Sequence, residues 1–221
     1  TAIKHTISMK IVIPGGTGQV GTVLARAFTA DGHDVVVLGR SPEKREWRTG
    51  QWDGKTPGDW AAEVDGSDVV INLAGRNVNC RYNEENRRQI MDSRVNSTRV
   101  VGEAIGAAAN PPKVWLQAST ATIYAHRVDA ANDDVTGIIG GHEPDAPDTW
   151  NFSIDVAKAW ERTTNEAPTP RTRKVLMRSA MIMSPDRGGI FDTLLSLVKF
   201  GLGGTAGSGK QFISWIHERD F

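Results

Sequence analysis

The 221-residue chain is short of several things whose absence narrows its class. A single cysteine, Cys80, leaves no partner for an internal disulfide. The five histidines, His5, His33, His126, His142 and His217, are scattered, and none stands at metal-ligand spacing. No metal site is expected, and a reducing, cytoplasmic setting is. Charge of one sign is also lacking. Lys and Arg total 26 and Asp and Glu total 26, so the chain offers no general electrostatic attraction to nucleic acid or an anionic membrane. No apolar run reaches the length of a membrane span, and Thr1 to Ser8 lack the basic start and apolar stretch of a secretory signal. These eight residues precede Met9 and read as an extension outside the fold. Only two tyrosines are present, Tyr82 and Tyr124, a scarcity that matters below.

What the chain does have is a repeated change of period. Short β-branched runs alternate with longer helical patterns, the arrangement of a parallel sheet with crossover helices on both faces. Strands are predicted at Lys10–Ile13, Val35–Leu38, Val69–Leu73, Val114–Gln117 and Lys174–Met177. The first helix should bury Val20, Val23, Leu24, Ala27 and Phe28. A long helix is predicted over Glu84–Ala109, closed by Pro111-Pro112, another over Thr149–Ala167, and a last one around Ile190, Leu194, Leu197 and Val198. Arg45 to Asp59 shows no usable period. Phe212 to Ile216 is strand-like.

The chemistry-bearing feature is Gly15-Gly16-Thr17-Gly18-Gln19-Val20-Gly21, lying between a predicted strand and a predicted helix. In that frame Gly15 permits the tight turn, Gly18 admits a pyrophosphate to the backbone, and Gly21 lets the helix pack on the strand. The alternative is a tight turn that holds nothing. The second strand ends in Leu38-Gly39-Arg40-Ser41, where an NAD site usually carries an acidic residue against the ribose 2′-hydroxyl. Arg40 can instead bond a 2′-phosphate, with Ser41 adding a hydroxyl, which points to NADP(H). Otherwise Arg40 is a solvated surface arginine. Asn72-Leu73-Ala74-Gly75 closes the next strand with small residues at the carboxyl edge, which is either room for adenosine or an ordinary loop exit. Together these give an α/β class: a Rossmann-type doubly wound parallel sheet with helices on both faces.

On these residues, and on Asp92-Ser93-Arg94-Val95-Asn96, Gly201-Leu202-Gly203-Gly204, Gly207-Ser208-Gly209 and Ser214-Trp215-Ile216-His217, the chain resembles the extended, epimerase-like short-chain dehydrogenase/reductases. More narrowly it is similar to an atypical "epimerase family protein" subgroup of them. The resemblance spans Met9 to Phe221. It implies that Gly15, Thr17, Gly18, Gln19, Val20 and Gly21 wrap the pyrophosphate, and that Arg40 and Ser41 meet the 2′-phosphate. It places Leu73, Ala74 and Gly75 on the adenosine side, with Gln89 and Arg94 reaching in from the long helix and Met181 and Ile182 near the nicotinamide. Arg94 has a competing reading, a surface ion pair with Glu84, Glu85 or Asp92.

The family's chemistry uses a Ser or Thr, a Tyr, and a Lys four residues after that Tyr. Ser119 or Thr120 matches the hydroxyl and Lys158 the lysine, but the tyrosine's place holds Ile154, which cannot move a proton. Tyr124 is the substitute the sequence offers; its other reading is a packing tyrosine with its hydroxyl bonded to the backbone. Gly204 to Lys210 has P-loop spacing, but Gln211 stands where a metal-holding hydroxyl belongs, so that motif is set aside. His217 reads as structural.

Residues 9–182 are thus expected to be an NADP(H)-binding domain, and 183–221 the start of an incomplete C-terminal substrate-side region, truncated at Phe221. The expected function is a cytoplasmic NADP(H)-dependent oxidoreductase or nucleotide-sugar-epimerase-like enzyme that transfers hydride to or from a small molecule, with no nucleic-acid or membrane partner and with a homodimer left open. A catalytically inactive NADP(H)-binding sensor or regulatory protein is the alternative, and an interaction domain without ligand the third reading.

Overall fold

The computed structural model describes residues 7–41, 43–127, 130–141, 143–144, 146–205, 207–209 and 213–221. It divides into two units: one runs to Ser119 and takes in Lys158–Met177, and the other comprises Thr120–Ala157 and Arg178–Phe221.

The first unit holds β1 (Lys10–Pro14), α1 (Gln19–Ala30), β2 (Asp34–Gly39), β3 (Arg48–Gln51), α2 (Ala61–Val64), β4 (Val69–Asn72), α3 (Glu84–Ala107), β5 (Val114–Ala118), the C-terminal part of α4 (Asp148–Glu166), and β6 (Arg173–Met177). All six strands are parallel, in the order β3-β2-β1-β4-β5-β6. The chain winds outward from β1 to β3, returns to β4 beside β1, and winds outward the other way. That reversal between β1 and β4 is where a doubly wound sheet opens a crevice at its carboxyl edge.

Period-two alternation sorts the side chains onto two covered faces. Val12, Val36, Leu38 and Val70 pack with Val100, Val101, Ala104 and Ile105 of α3 and with Trp52, Trp60 and Trp115. Ile11, Ile13, Val35, Val37 and Ile71 pack on the opposite face with Ala25, Leu24 and Phe28 of α1. Each fully buried aliphatic contributes about 1.5–3 kcal/mol. The α1 stripe is rotated from its sequence expectation: Ala27 faces solvent, and Gly21 and Ala25 lie innermost. The cause is contact with the glycine turn, since a Cβ on Gly21 would stand 2.3 Å from the Cα of Gly16.

The second unit contains a 3-10 turn (Ala121–Ile123), β7 (Met181–Met183), α5 (Ile190–Lys199) and β8 (Trp215–His217). β7 pairs in parallel with β8, Met181 opposite Trp215. Ile123, Tyr124 and Ala157 form its buried cluster. α5 is apolar and amphipathic but buries none of its residues. No helix among the described residues is long and apolar enough to cross a membrane.

Candidate functional site

At the carboxyl ends of β1, β2 and β4 a cleft of about 1090 Å³ opens, lined by the glycine turn, the exits of β2, β3 and β4, and the start of α3. Its volume lies just above the usual range for ligand pockets, about 300–1,000 Å³.

One wall is the turn itself. The N–H of Gly15 donates to the Leu38 carbonyl at 2.9 Å, and the N–H of Gly16 to that of Ile13 at 3.1 Å. These bonds tie the turn to the ends of β1 and β2. α1 then starts at Gln19 with Gly18 as its N-cap, no side-chain cap bond and no acidic residue in its first turn. Its first N–H groups therefore lack intrahelical partners and present a partial positive charge to the cleft. A Cβ on Gly18 would meet nothing within 4 Å, so the space beside it is open. Uncovered backbone at an uncapped helix start fits a phosphate group.

The β4 exit is shaped by buried polar groups. The Asn72 amide donates to Gln117 Oε1 at 3.0 Å, and its oxygen accepts the Ala74 N–H at 3.1 Å, which bends the chain at Leu73-Ala74-Gly75. From α3, Ser93 Oγ accepts the Arg76 N–H at 2.9 Å, and Arg94 Nη1 donates to the Arg76 carbonyl at 3.2 Å and the Ile90 carbonyl at 3.1 Å. The Arg94 guanidinium also lies 5.1 Å from the centroid of the Trp160 ring. Burial lowers its pKa to about 10, with a smaller opposing effect of Tyr82, so it stays charged at neutral pH.

The structure brings most of the sequence-selected residues together here. Gly15, Thr17, Gly18, Gln19, Val20, Gly21, Arg40, Leu73, Ala74, Gly75 and Gln89 all line the cleft. Arg40 is exposed at its β2 end. Gln89 follows Arg88 on α3 and donates to Glu85 Oε1 at 2.5 Å. Ser41 is exposed and outside the lining set. Arg94 is also outside it, and it forms no ion pair with Glu84, Glu85 or Asp92; it grips the backbone of the Gly75-Arg76 loop instead. Met181 and Ile182 lie on β7 in the second unit.

If Arg94 is a loop clamp, Arg94→Ala should lower stability by about 2 kcal/mol, from two hydrogen bonds and a cation–π contact. That is a fall in Tm of about 4–8 °C. Thermal unfolding checks this; an unchanged Tm would mean the clamp contributes nothing.

The catalytic candidates fall into two sets. In the first unit, Ser119 follows β5 and is buried, its hydroxyl donating to Glu161 Oε1 at 2.6 Å, and Lys158 is half-buried on α4 one turn before Glu161. In the second unit, Thr120 caps the 3-10 turn, accepting the Thr122 N–H at 3.2 Å and donating to the Thr122 hydroxyl at 3.0 Å. Tyr124 is buried, and its hydroxyl accepts from Arg178 Nη1 at 3.3 Å, with the same guanidinium 5.3 Å from its ring centroid. Its hydroxyl is bonded to a side chain, where the packing reading expected a backbone partner. Ile154 is fully buried. His217 Nδ1 accepts the Arg219 N–H at 3.2 Å and shapes a turn. Gly204–Lys210 and His142 lie partly or wholly outside the described residues. No group of three or more metal-ligating side chains is found among the described residues.

Sequence reasoning missed Glu161, Trp52, Asp53, Lys55, Arg76, Asn77 and Arg88. Trp52 to Lys55 lie in the stretch without a period, and the signal available there was the Asp53-Gly54 pair, a turn dipeptide between two tryptophans.

Comparison with known proteins agrees with this geometry. The sequence profile described as "NAD dependent epimerase/dehydratase family" matches residues 11–143. The human "Epimerase family protein SDR39U1" is 31% identical over 216 residues, covering 96% of this chain and 67% of that protein. The crystal structure of human SDR39U1 (isoform 2) with NADPH superposes with a TM-score of 0.79 at 32% identity, covering 95% of this chain and 66% of that one. A nucleoside-diphosphate sugar epimerase from Corynebacterium glutamicum superposes with a TM-score of 0.75 at 28% identity, covering 96% of this chain and 42% of that one. The chain thus spans about two thirds of the length of its human relative. By profile, identity and fold, the chain belongs to the NAD dependent epimerase/dehydratase family.

Proposed function

We propose that the chain binds NADP(H) in the cleft beside α1 and acts as an oxidoreductase or epimerase-like enzyme on a small molecule. The observation that carries this reading is the pairing of an uncapped helix start, open at Gly18, with Arg40 at the β2 exit where NAD sites place a carboxylate. The NADPH bound to the human relative supports it. In this reading the first turn of α1 holds the pyrophosphate, Arg40 and Ser41 the 2′-phosphate, and Leu73, Ala74 and Gly75 the adenosine side, with Gln89 at its edge. Met181 and Ile182 are assigned to the nicotinamide side. Residues 9–182 make up the cofactor-binding part and 183–221 the start of the substrate side. A cytoplasmic setting accords with the lone cysteine.

When bound, the nicotinamide supplies hydride exchange. The chain must then supply a group that exchanges a proton. Ser119, Thr120, Lys158 and Tyr124 are the candidates. Ser119 has its proton directed at Glu161, which leaves its oxygen free to accept from a substrate hydroxyl.

A second reading has an observation of its own. Ile154, fully buried, stands where the family's tyrosine belongs, which favours a protein that binds NADP(H) without turnover.

Calorimetric titration with NADPH and with NADH tests the shared claim. Tight NADPH binding with weak NADH binding is the expected result, and binding of neither would overturn both readings. Cofactor turnover across a panel of carbonyl and alcohol compounds then separates enzyme from sensor.

A further inference from the structure

The loop after β3 forms a wall of the cleft that the glycine turn does not account for. Asp53 fixes its shape: Oδ1 accepts the N–H groups of Lys55 at 2.8 Å and Thr56 at 2.9 Å, and Oδ2 accepts the Thr56 hydroxyl at 2.8 Å. Those bonds hold the Asp53 carboxyl at a pKa of about 2, with the Thr56 and Lys55 N–H groups as the leading causes. Gly54 turns the chain at φ +73°. From α3, Arg99 Nη2 donates to the Lys55 carbonyl at 2.8 Å. Trp52 is buried at the loop's root, edge-on to Trp60 at 5.2 Å. The Lys55 backbone is therefore held at both its N–H and its carbonyl, while its ammonium forms no ion pair with any described residue.

This loop lies next to Arg40. β2 and β3 pair in parallel with Gly39 opposite Gln51, and the N–H of Trp52 donates to the Gly39 carbonyl at 3.0 Å. Arg40 and Lys55 thus leave adjacent strand ends and line the same cleft. Of the three acidic groups in that lining, two are committed elsewhere and the third, Asp92, stands on α3. Asp53 spends its oxygens on the turn, and Glu85 is paired with Arg88 and Gln89 on α3. Arg40 and Lys55, neither of them ion-paired with a described residue, are two cations set to receive a dianion.

We propose that Lys55 is a specificity-determining residue that, together with Arg40, clamps a phosphomonoester on the adenosine ribose, so that two neighbouring strands share the choice of phosphorylated over unphosphorylated ligand. This rests on the NADP(H) reading of the cleft. Asp53 is a positioning residue for it, acting through the turn that presents Lys55.

The test titrates wild type, Lys55→Ala and Lys55→Arg with NADPH, NADH, 2′,5′-ADP and 5′-AMP. Lys55→Ala should weaken NADPH and 2′,5′-ADP binding about tenfold, a typical loss for one charge-assisted contact. It should leave NADH and 5′-AMP unchanged, and Lys55→Arg should keep most of the affinity. Equal effects on phosphorylated and unphosphorylated ligands, or no effect on either, would overturn the clamp while leaving the cofactor reading intact. Wild type that binds none of the four ligands would instead remove the cofactor reading and the clamp with it. Circular dichroism and Tm of each variant separate lost binding from lost folding.

Discussion

Replacing Arg40 with alanine should weaken NADPH binding about ten- to hundredfold and leave NADH binding within about a factor of two. Arg40 follows the last residue of β2, is exposed, and lines the cleft without an ion-pair partner among the described residues. No hydrogen bond or ion pair ties its side chain to the described residues, so the substitution should leave Tm unchanged. What it removes is a planar guanidinium able to bond two phosphate oxygens at once, a contact that lysine cannot replace geometrically. The difference between NADPH and NADH is therefore the readout, because the two ligands differ only in the 2′-phosphate. Parallel losses for both would mean that Arg40 acts elsewhere, on the pyrophosphate or the fold, and the 2′-phosphate assignment would fail. The double variant with Lys55→Ala adds information: neighbouring contacts to one phosphate couple, so the combined loss should differ from the sum of the two single losses.

How much of this was legible in the sequence depends on burial. β1, β2 and β4 are short apolar runs covered on both faces, and their parallel direction follows from the alternation with helices. β3 was not legible. Arg48-Thr49-Gly50-Gln51 is polar, half-exposed and at the sheet edge, where one side of the strand needs no apolar partner and a charged residue discourages further pairing. Missing β3 also hid the loop that follows it, and with it Asp53 and Lys55. The glycine turn could be read because its residues are contiguous. The Ser119–Glu161 pair could not, since it joins the end of β5 to α4 across 42 positions and no local pattern marks it. Arg94 shows a third limit: its position in a motif was plain, but only packing shows that its guanidinium turns back to the Arg76 carbonyl.

The glycines of the turn should separate into two kinds when each is changed to alanine. Gly15 adopts φ +74°, and a Cβ there would stand 2.5 Å from the Cα and 2.6 Å from the N of Ala74, both backbone atoms. Its own N–H is bonded to Leu38 on β2, and the next strand is fixed alongside by the Leu73 N–H on the Pro14 carbonyl at 2.9 Å. Neither side can yield freely. A left-handed conformation costs an L-residue roughly 1–2 kcal/mol, and overpacking about 1–3 kcal/mol more. Gly15→Ala should thus lose about 2–5 kcal/mol, a large share of the roughly 5–15 kcal/mol available to a typical domain, with Tm lower by about 5–15 °C. Gly18 has an ordinary φ of −79° and no atom within 4 Å of where its Cβ would stand. Gly18→Ala should therefore fold like wild type, yet its methyl would occupy the space that a pyrophosphate needs beside the first turn of α1. Thermal unfolding and NADPH titration of both variants make the comparison. A Gly15→Ala protein of wild-type stability would refute the steric argument for the turn. A Gly18→Ala protein that binds NADPH as well as wild type would move the pyrophosphate away from α1, because a site that closely approached by phosphate oxygens has no room for the added carbon.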